Sequence, residues 1–528
     1  PIQVGWFGLP GFQGRTTMLA QGRDGLGETA YERHQPEQTL LYQLVEAHYP
    51  TLVDQLAHQG KSLPDHVHRE FEAYLKYGRL EHGFLRVRCD NCHFERLVAF
   101  SCKKRGFCPS CGARRMAETA ALLADEVFPD VPLRQWVISF PFPLRYLFAA
   151  HPQAMATVLG TVYRAISTHL IHKAGLNLKI GATGAVTLIQ RFGSALNLNI
   201  HFHILFLDGV YVYRDNRPPR FQRVKAPEKA ELEELVQLIS QRVGRCLERQ
   251  GLLEQDTESA WLDLDPADDT DAMSQILGSS ISYRIAVGPQ QGRKAFMIRT
   301  IRPLDRPDPG LERVARANGF SLHAGVSCEG NQKDKRERLC RYISRPAVAV
   351  PRLSLSSTGK VVYTLKTPYR DGTTQVAFEP VDFVARLAAL IPKPRVNLTR
   401  YHGVLAPNHR WRGLVTPARR GKGVKSIANA EVRTAAERHA AMTWAQRLKR
   451  VFNIDIEVCA RCGGSARVIA CIEDQNVIDQ ILDHLRQKEQ ETPTRPLLVP
   501  PSRAPPGTLP LFAGKDSSTT ALHQQGSQ

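Results

Sequence analysis

The segment LNLNIHFHILFL, residues 196–207, constrains this chain more than any other. Successive side chains of a strand point to opposite faces. Leu198, Ile200, Phe202, Ile204 and Phe206 then form one unbroken apolar stripe, while Asn197, Asn199, His201 and His203 fall on the other face. A strand with one wholly apolar face belongs in a sheet packed against helices. Its polar face presents two imidazoles at i and i+2, and two neutral imidazoles so placed can hold one divalent ion. The plainer reading of a His-x-His is two half-exposed strand histidines, and the residues alone leave both readings open.

The neighbouring sequence supplies partners for that strand. Residues 184–192 read as an antiparallel mate across Gly193-Ser194, and RQWVISF (134–140) as a further strand ended by Pro141 and Pro143. Helical periodicity covers residues 38–76 as two helices, then 116–127, 153–174, 228–250 and 430–452. Asp371-Gly372 signals a hairpin turn. Short strands alternating with helices, with antiparallel hairpins, predict an α+β fold. Residues 254–271 are acidic and read as a solvated insertion; residues 491–528 are rich in Pro, Ser and Gln and read as disordered.

Charge narrows the function class. A net charge of +19 and a pI of about 9.6 call for a polyanionic partner. No stretch reaches the roughly 18 to 20 apolar residues of a membrane span, and no export signal is visible, so the expected place is the cytoplasm, on nucleic acid.

Eleven cysteines without an export signal point to metal rather than disulfides. Cys89, Cys92, Cys108 and Cys111 make C-x₂-C-x₁₅-C-x₂-C, the spacing of one tetrahedral zinc site, with His93 and Cys102 as spares. Lys103, Lys104 and Arg105 would set a DNA-binding face beside it. Cys459 and Cys462 are half a site, with only Cys471 or His484 in view to complete it; a buried thiol pair is the plainer reading. One tyrosine has an unusual setting. Tyr342 lies in KDKRERLCRYISRP, a helix stopped by Pro346, among Lys335, Arg336, Arg338, Arg341 and Arg345. These cations suit DNA phosphate, although a solvated basic helix face would look the same.

The segments LNLNIHFHILFLDGVY, RYISRP and WAQRLKRVFNIDIEVCARCGG, in that order, resemble the transposases of the insertion sequence 91 family and its common-region relatives. Those are HUH endonucleases, named for histidine–hydrophobic–histidine. The resemblance implies that His201 and His203 hold Mg²⁺ or Mn²⁺ and that Tyr342 attacks single-stranded DNA, giving a 5′-phosphotyrosine and a free 3′-OH. Gln190 stands where relatives carry a histidine, making it the candidate third ligand; Asn199 is the alternative, and a structural role for Gln190 the other. Relatives of the founding type carry a second tyrosine four residues before the first. This chain has Arg338 there, like the single-tyrosine common-region relatives. Arg338, Arg341 and Arg345 are the expected DNA contacts around the nucleophile.

The expected architecture is an antiparallel HUH core with helices on one face, flanked by an N-terminal zinc module and a small C-terminal module. The expected divisions are an extension (1–37), a helical and zinc-binding domain (38–125), the catalytic domain (126–350), a basic DNA-binding region (351–450), a CxxC module (451–490) and a tail (491–528). The expected partners are single-stranded element ends and target, with a homodimer during strand transfer and residence at the nucleoid. Two rivals remain at this stage: a rolling-circle replication initiator or relaxase with the same chemistry, and a non-catalytic zinc-dependent DNA-binding regulator.

Overall fold

The computed structural model describes residues 29–30, 35–213, 218–255, 260–262, 271–301, 314–419, 454–455 and 457–491. The expectations for most of residues 1–37, much of the acidic insertion, the 430–452 helix and the 491–528 tail lie outside these. The chain divides into two units between Ile478 and Asp479, and both histidines, Tyr342 and all the cysteines lie in the first.

The centre is a six-stranded sheet with every neighbouring pair antiparallel. Its order is Val314–Ala317, Phe320–Cys328, Leu133–Ser139, Leu198–Leu207, Gly184–Phe192 and Thr399–Gly403. The strand carrying the histidines is thus interior, as its apolar stripe requires. Leu198, Ile200, Phe202, Ile204 and Phe206 are fully buried and join the main core. There they meet helices Phe142–Ala150, Pro152–Lys173, Lys229–Glu248 and Ala272–Ile281.

The expectation of helices on one face only is corrected. Beyond His203 the second face of the same strand turns apolar, with Leu205 and Leu207 in a separate buried cluster. Leu133, Val186 and Leu188 join it from the neighbouring strands. It is covered by Pro109–Leu122, by one π-helical turn at Leu123–Val127, and by the helix Lys333–Ile343 through Leu339, Cys340 and Ile343. Two apolar faces demand two helical layers. The sheet also extends beyond residue 350: its edge strand Thr399–Gly403 comes from the stretch expected to be a separate basic region.

The helices Leu40–His58 and Asp65–Lys76 form as the periodicity predicts, and their buried stripes enter the main core. A three-stranded sheet follows, in which Phe84–Cys89 is flanked by Glu95–Ala99 on one side and by Ala466–Ile472 on the other. The stretch expected to be a small C-terminal module therefore supplies a strand to the N-terminal one.

Candidate active site and cysteine centres

Register brings the polar side chains together. His201 lies opposite Gln190 and Ser139, and His203 opposite Leu188 and Val137, so all share one face of the sheet. The Gln190 strand departs from regular pairing between Gln190 and Phe192, beside the site, where bulges commonly re-aim side chains. Both histidines are buried. Burial pushes His201 down to about 4; the Asn199 carbonyl opposes this, and Arg345 and Arg145 reinforce it. Burial, then His201, Arg345 and His323, hold His203 well below the ordinary histidine range. Both rings are neutral at pH 7, the form that ligates metal.

Their two Nε2 atoms stand 3.1 Å apart. Behind His201, Nδ1 faces the Asn199 main-chain oxygen at 2.8 Å; a carbonyl only accepts, so Nδ1 carries the proton and Nε2 a lone pair. Behind His203, Nδ1 faces the Gln135 side-chain nitrogen at 2.6 Å. With that amide donating, His203 keeps its proton on Nε2 and shares it with His201, a closed relay of three hydrogen bonds. With the amide rotated end for end, its oxygen accepts from Nδ1–H and both Nε2 lone pairs converge. Two nitrogens at right angles on an octahedral ion with bonds of about 2.1 Å lie about 3.0 Å apart, so the pair fits a hard divalent ion. Gln190 Oε1 and Asn199 Oδ1 are buried oxygens with no hydrogen-bond partner among the described residues, the donor type such an ion still requires.

Gln190 also ties the two halves of the site. Its Nε2 donates to the carbonyl of Ile343, the last residue of the tyrosine helix, at 2.8 Å. Arg336, buried on the same helix, donates to Pro129 O and Asp130 at 3.0 and 2.9 Å. So anchored, half-buried Tyr342 sits edge-on to His203 with ring centroids 6.2 Å apart. The Arg345 guanidinium lies 4.2 Å over the tyrosine ring, and Lys366 Nζ 5.6 Å from its centre.

The basic residues separate into distinct roles. Arg341 pairs with Glu337 one turn earlier, and Arg336 is spent on the Pro129–Asp130 loop. Arg338 is exposed, with its Nε on the Asp334 carbonyl. Lys103 and Arg105 are exposed in the loop before Cys108, Arg105 reaching Val396 O at 2.7 Å, while Lys104 O accepts from Arg115. A cleft beside the site is lined by Arg105, Arg115, Arg191 and Arg345 together with Gln190 and Ser344. Gln135, Arg191 and Lys366 carried no sequence signal as site residues. Gln135 is one polar residue beside the buried Trp136, and Lys366 comes from a distant hairpin.

The cysteines group differently from their spacing, which predicts one site from Cys89, Cys92, Cys108 and Cys111. Instead Cys89 and Cys92 meet Cys459 and Cys462, all four sulfurs lying within 4.8 Å of one another. Cys89 is 3.5 Å from Cys462 and Cys92 is 3.6 Å from Cys459. The sulfurs of a zinc tetrahedron with bonds of about 2.3 Å lie about 3.8 Å apart, so this set fits zinc. The physical reason is the intervening strand Glu95–Ala99, which carries the chain ~17 Å away from Cys92. Meanwhile Ala466–Ile472, pairing Ala466 with Cys89, delivers the distant pair. Cys471 stays out, its thiol on Glu473, and His484 lies beyond Ile478 in the second unit. Cys102, Cys108 and Cys111 form a separate group.

Comparisons with known families match this layout. Residues 184–412, from the Gln190 strand through Tyr342 to the edge strand, match a family model described as "Putative transposase". Residues 44–140 match one described as "Transposase zinc-binding domain". No curated protein and no solved structure matches the chain. Among the described residues, no helix is long and apolar enough to cross a membrane.

Proposed function

Because the chain belongs to the insertion sequence 91 family of transposases, we propose that it cuts and rejoins single-stranded DNA through Tyr342, with Mg²⁺ or Mn²⁺ held by His201 and His203. The observation that carries this reading is the pair of Nε2 atoms 3.1 Å apart on the face that Tyr342 closes. When bound, the ion polarises the scissile phosphate and neutralises charge developing on it. The protein does the rest. Tyr342 Oη forms a bond to phosphorus in line with the 3′ oxygen as the P–O3′ bond breaks. The phenol proton passes to solvent, and the departing 3′ oxygen takes one up. The 5′ end stays on the tyrosine with its bond energy conserved, so a 3′-OH can reverse the step without ATP. Arg345 and Lys366 supply positive charge where the phosphate must lie, and the arginine-lined cleft offers a path for the strand. The four-cysteine set holds structural zinc.

With Arg338 in place of a second tyrosine, one nucleophile serves both cleavages, either by reuse after release or through a second subunit. The deciding experiment is covalent capture of a labelled single strand. Tyr342→Phe keeps the ring and its packing and should lose the adduct entirely, and mass spectrometry of wild type should find the 5′ nucleotide on Tyr342. An adduct on Tyr363, Tyr369 or Tyr401 would overturn the assignment. His201→Ala should abolish capture while single-strand binding persists, because affinity rests on phosphate contacts.

A further inference from the structure

We propose that Cys102, Cys108 and Cys111 hold a second zinc ion, distinct from the one at the four-cysteine set, and that this second centre braces the end of the tyrosine helix. The three sulfurs lie within 4.8 Å of one another, Cys102 and Cys111 only 3.3 Å apart, and Cys108 and Cys111 are buried. Main-chain N–H groups of Lys103 and Lys104 face the Cys111 sulfur. They can do so because Lys103 adopts a left-handed conformation, φ 53°, which a lysine holds only when its surroundings impose it. The four-cysteine set uses the same device: the Asn91 and Cys92 amides face Cys89, and His93 follows with φ 57°. Amides aimed at sulfur stabilise thiolate, the metal-binding form.

Three thiolates on a divalent ion leave one negative charge. Lys104, Arg105 and Arg115 belong to the same loop and helix start, so that charge falls in a basic segment of the chain. Three protein ligands also leave a fourth position for water or a small anion, the pattern of an open zinc site.

The bracing follows from Gly112, directly after Cys111. A Cβ there would come within 2.6 Å of Pro346 Cβ and 3.2 Å of its Cα, so the chain beside the sulfur rests on the proline that ends the tyrosine helix. Cys108, Gly112, Ser344 and Arg345 then line one cleft with Gln190. The zinc part of the inference stands on the cysteines alone; the importance of the brace for cutting rests on the function proposed above.

Native mass spectrometry of the full chain tests the zinc count directly. Two zinc ions per chain are expected, with Cys102→Ser or Cys108→Ser reducing the count to one, and Cys89→Ser reducing it to the other one. Loading with Co²⁺ tells the two apart: the sulfur-to-cobalt absorption per ion should be about three-quarters as strong in Cys89→Ser as in Cys102→Ser, three thiolates against four. One zinc per wild-type chain, a measurement that needs no variant to fold, would overturn the second centre. The brace is read separately. Gly112→Val should keep both ions, speed hydrogen exchange in residues 333–343, and slow nicking about tenfold or more, since small displacements at a reacting centre cost that much. Unchanged exchange in that helix would remove the brace whether or not the wild type nicks DNA.

Discussion

At the scale of single residues, one amide sets which proton the histidine pair holds. Gln135 is the only side chain hydrogen-bonded to the rear of His203 among the described residues, and orienting partners of this kind change metal affinity 10- to 100-fold when removed. Gln135→Leu should therefore weaken Mn²⁺ binding by about that factor in a calorimetric titration, and Gln135→Glu, which still accepts from Nδ1–H, should retain it. Equal loss in both would mean that Gln135 only fills space. His402 offers a pH test away from the histidine pair. It stacks on Tyr163 at 4.7 Å and sits 3.1 Å from the Thr187 hydroxyl, and burial, then Arg400, push it down to about 4. A folded value below the unfolded one of about 6.5 means that only the unfolded chain takes up a proton between the two. Stability should therefore fall as pH drops from about 6.5 towards 4, by about 2 kcal/mol at pH 5. Urea denaturation of wild type and His402→Gln at pH 7 and 5 checks this; the wild type should lose more by that amount, and parallel losses would reject it. Period-two alternation and a basic helix before a proline singled out the histidine pair and Tyr342 as candidates, and the structure places them 6.2 Å apart, ring to ring, between His203 and Tyr342. Gln135 was not, because its role depends on a cross-strand neighbour 68 residues away.

At the scale of elements, the histidine strand shows what a pattern reveals and what it hides. The stripe from Leu198 to Phe206 was enough to bury one face, and its packing follows. The second helical layer was also written there, in Leu205 and Leu207 on the histidine face, but two residues weigh little against four polar ones. Of the helix cations that suit DNA phosphate by sequence, Arg336 and the expected contact Arg341 are committed within the protein. Charge alone does not reveal an intramolecular partner. The ladder between Leu133–Ser139 and the histidine strand closes at its far end with Arg134, which grips Asp208 through two contacts of 2.8 Å, both side chains buried. Arg134→Met leaves a buried carboxylate alone and should cost about 3–5 kcal/mol. The urea midpoint should drop accordingly, and adding Asp208→Asn should recover part of the loss. A single variant as stable as wild type would show that the pair is dispensable.

At the scale of the whole molecule, the cysteine spacing misled for a reason of topology. C-x₂-C pairs announce metal, but which pairs meet depends on strand pairing across most of the chain, and spacing does not encode that. Cys89 and Cys462 are 373 positions apart and 3.5 Å from each other. Removal of residues 451–528 should therefore strip the zinc bound at Cys89 and Cys92, although both remain. Cys89→Ser, Cys459→Ser and the double variant should each lose the same single ion. A truncated chain that keeps its full zinc content would refute the shared site. The arrangement also orders events during synthesis. Helices Leu40–His58 and Asp65–Lys76, two strands and the first cysteine pair emerge from the ribosome before residue 100, yet Phe84–Cys89 must wait for its far neighbour, and the metal for two of its four ligands, until about residue 472 has been made. Until then the nascent chain carries an unfinished sheet edge and two uncommitted thiols. Completion of the N-terminal module thus reports that synthesis has passed residue 472, and a product terminated before that point would leave the edge of Phe84–Cys89 open to pairing with other chains.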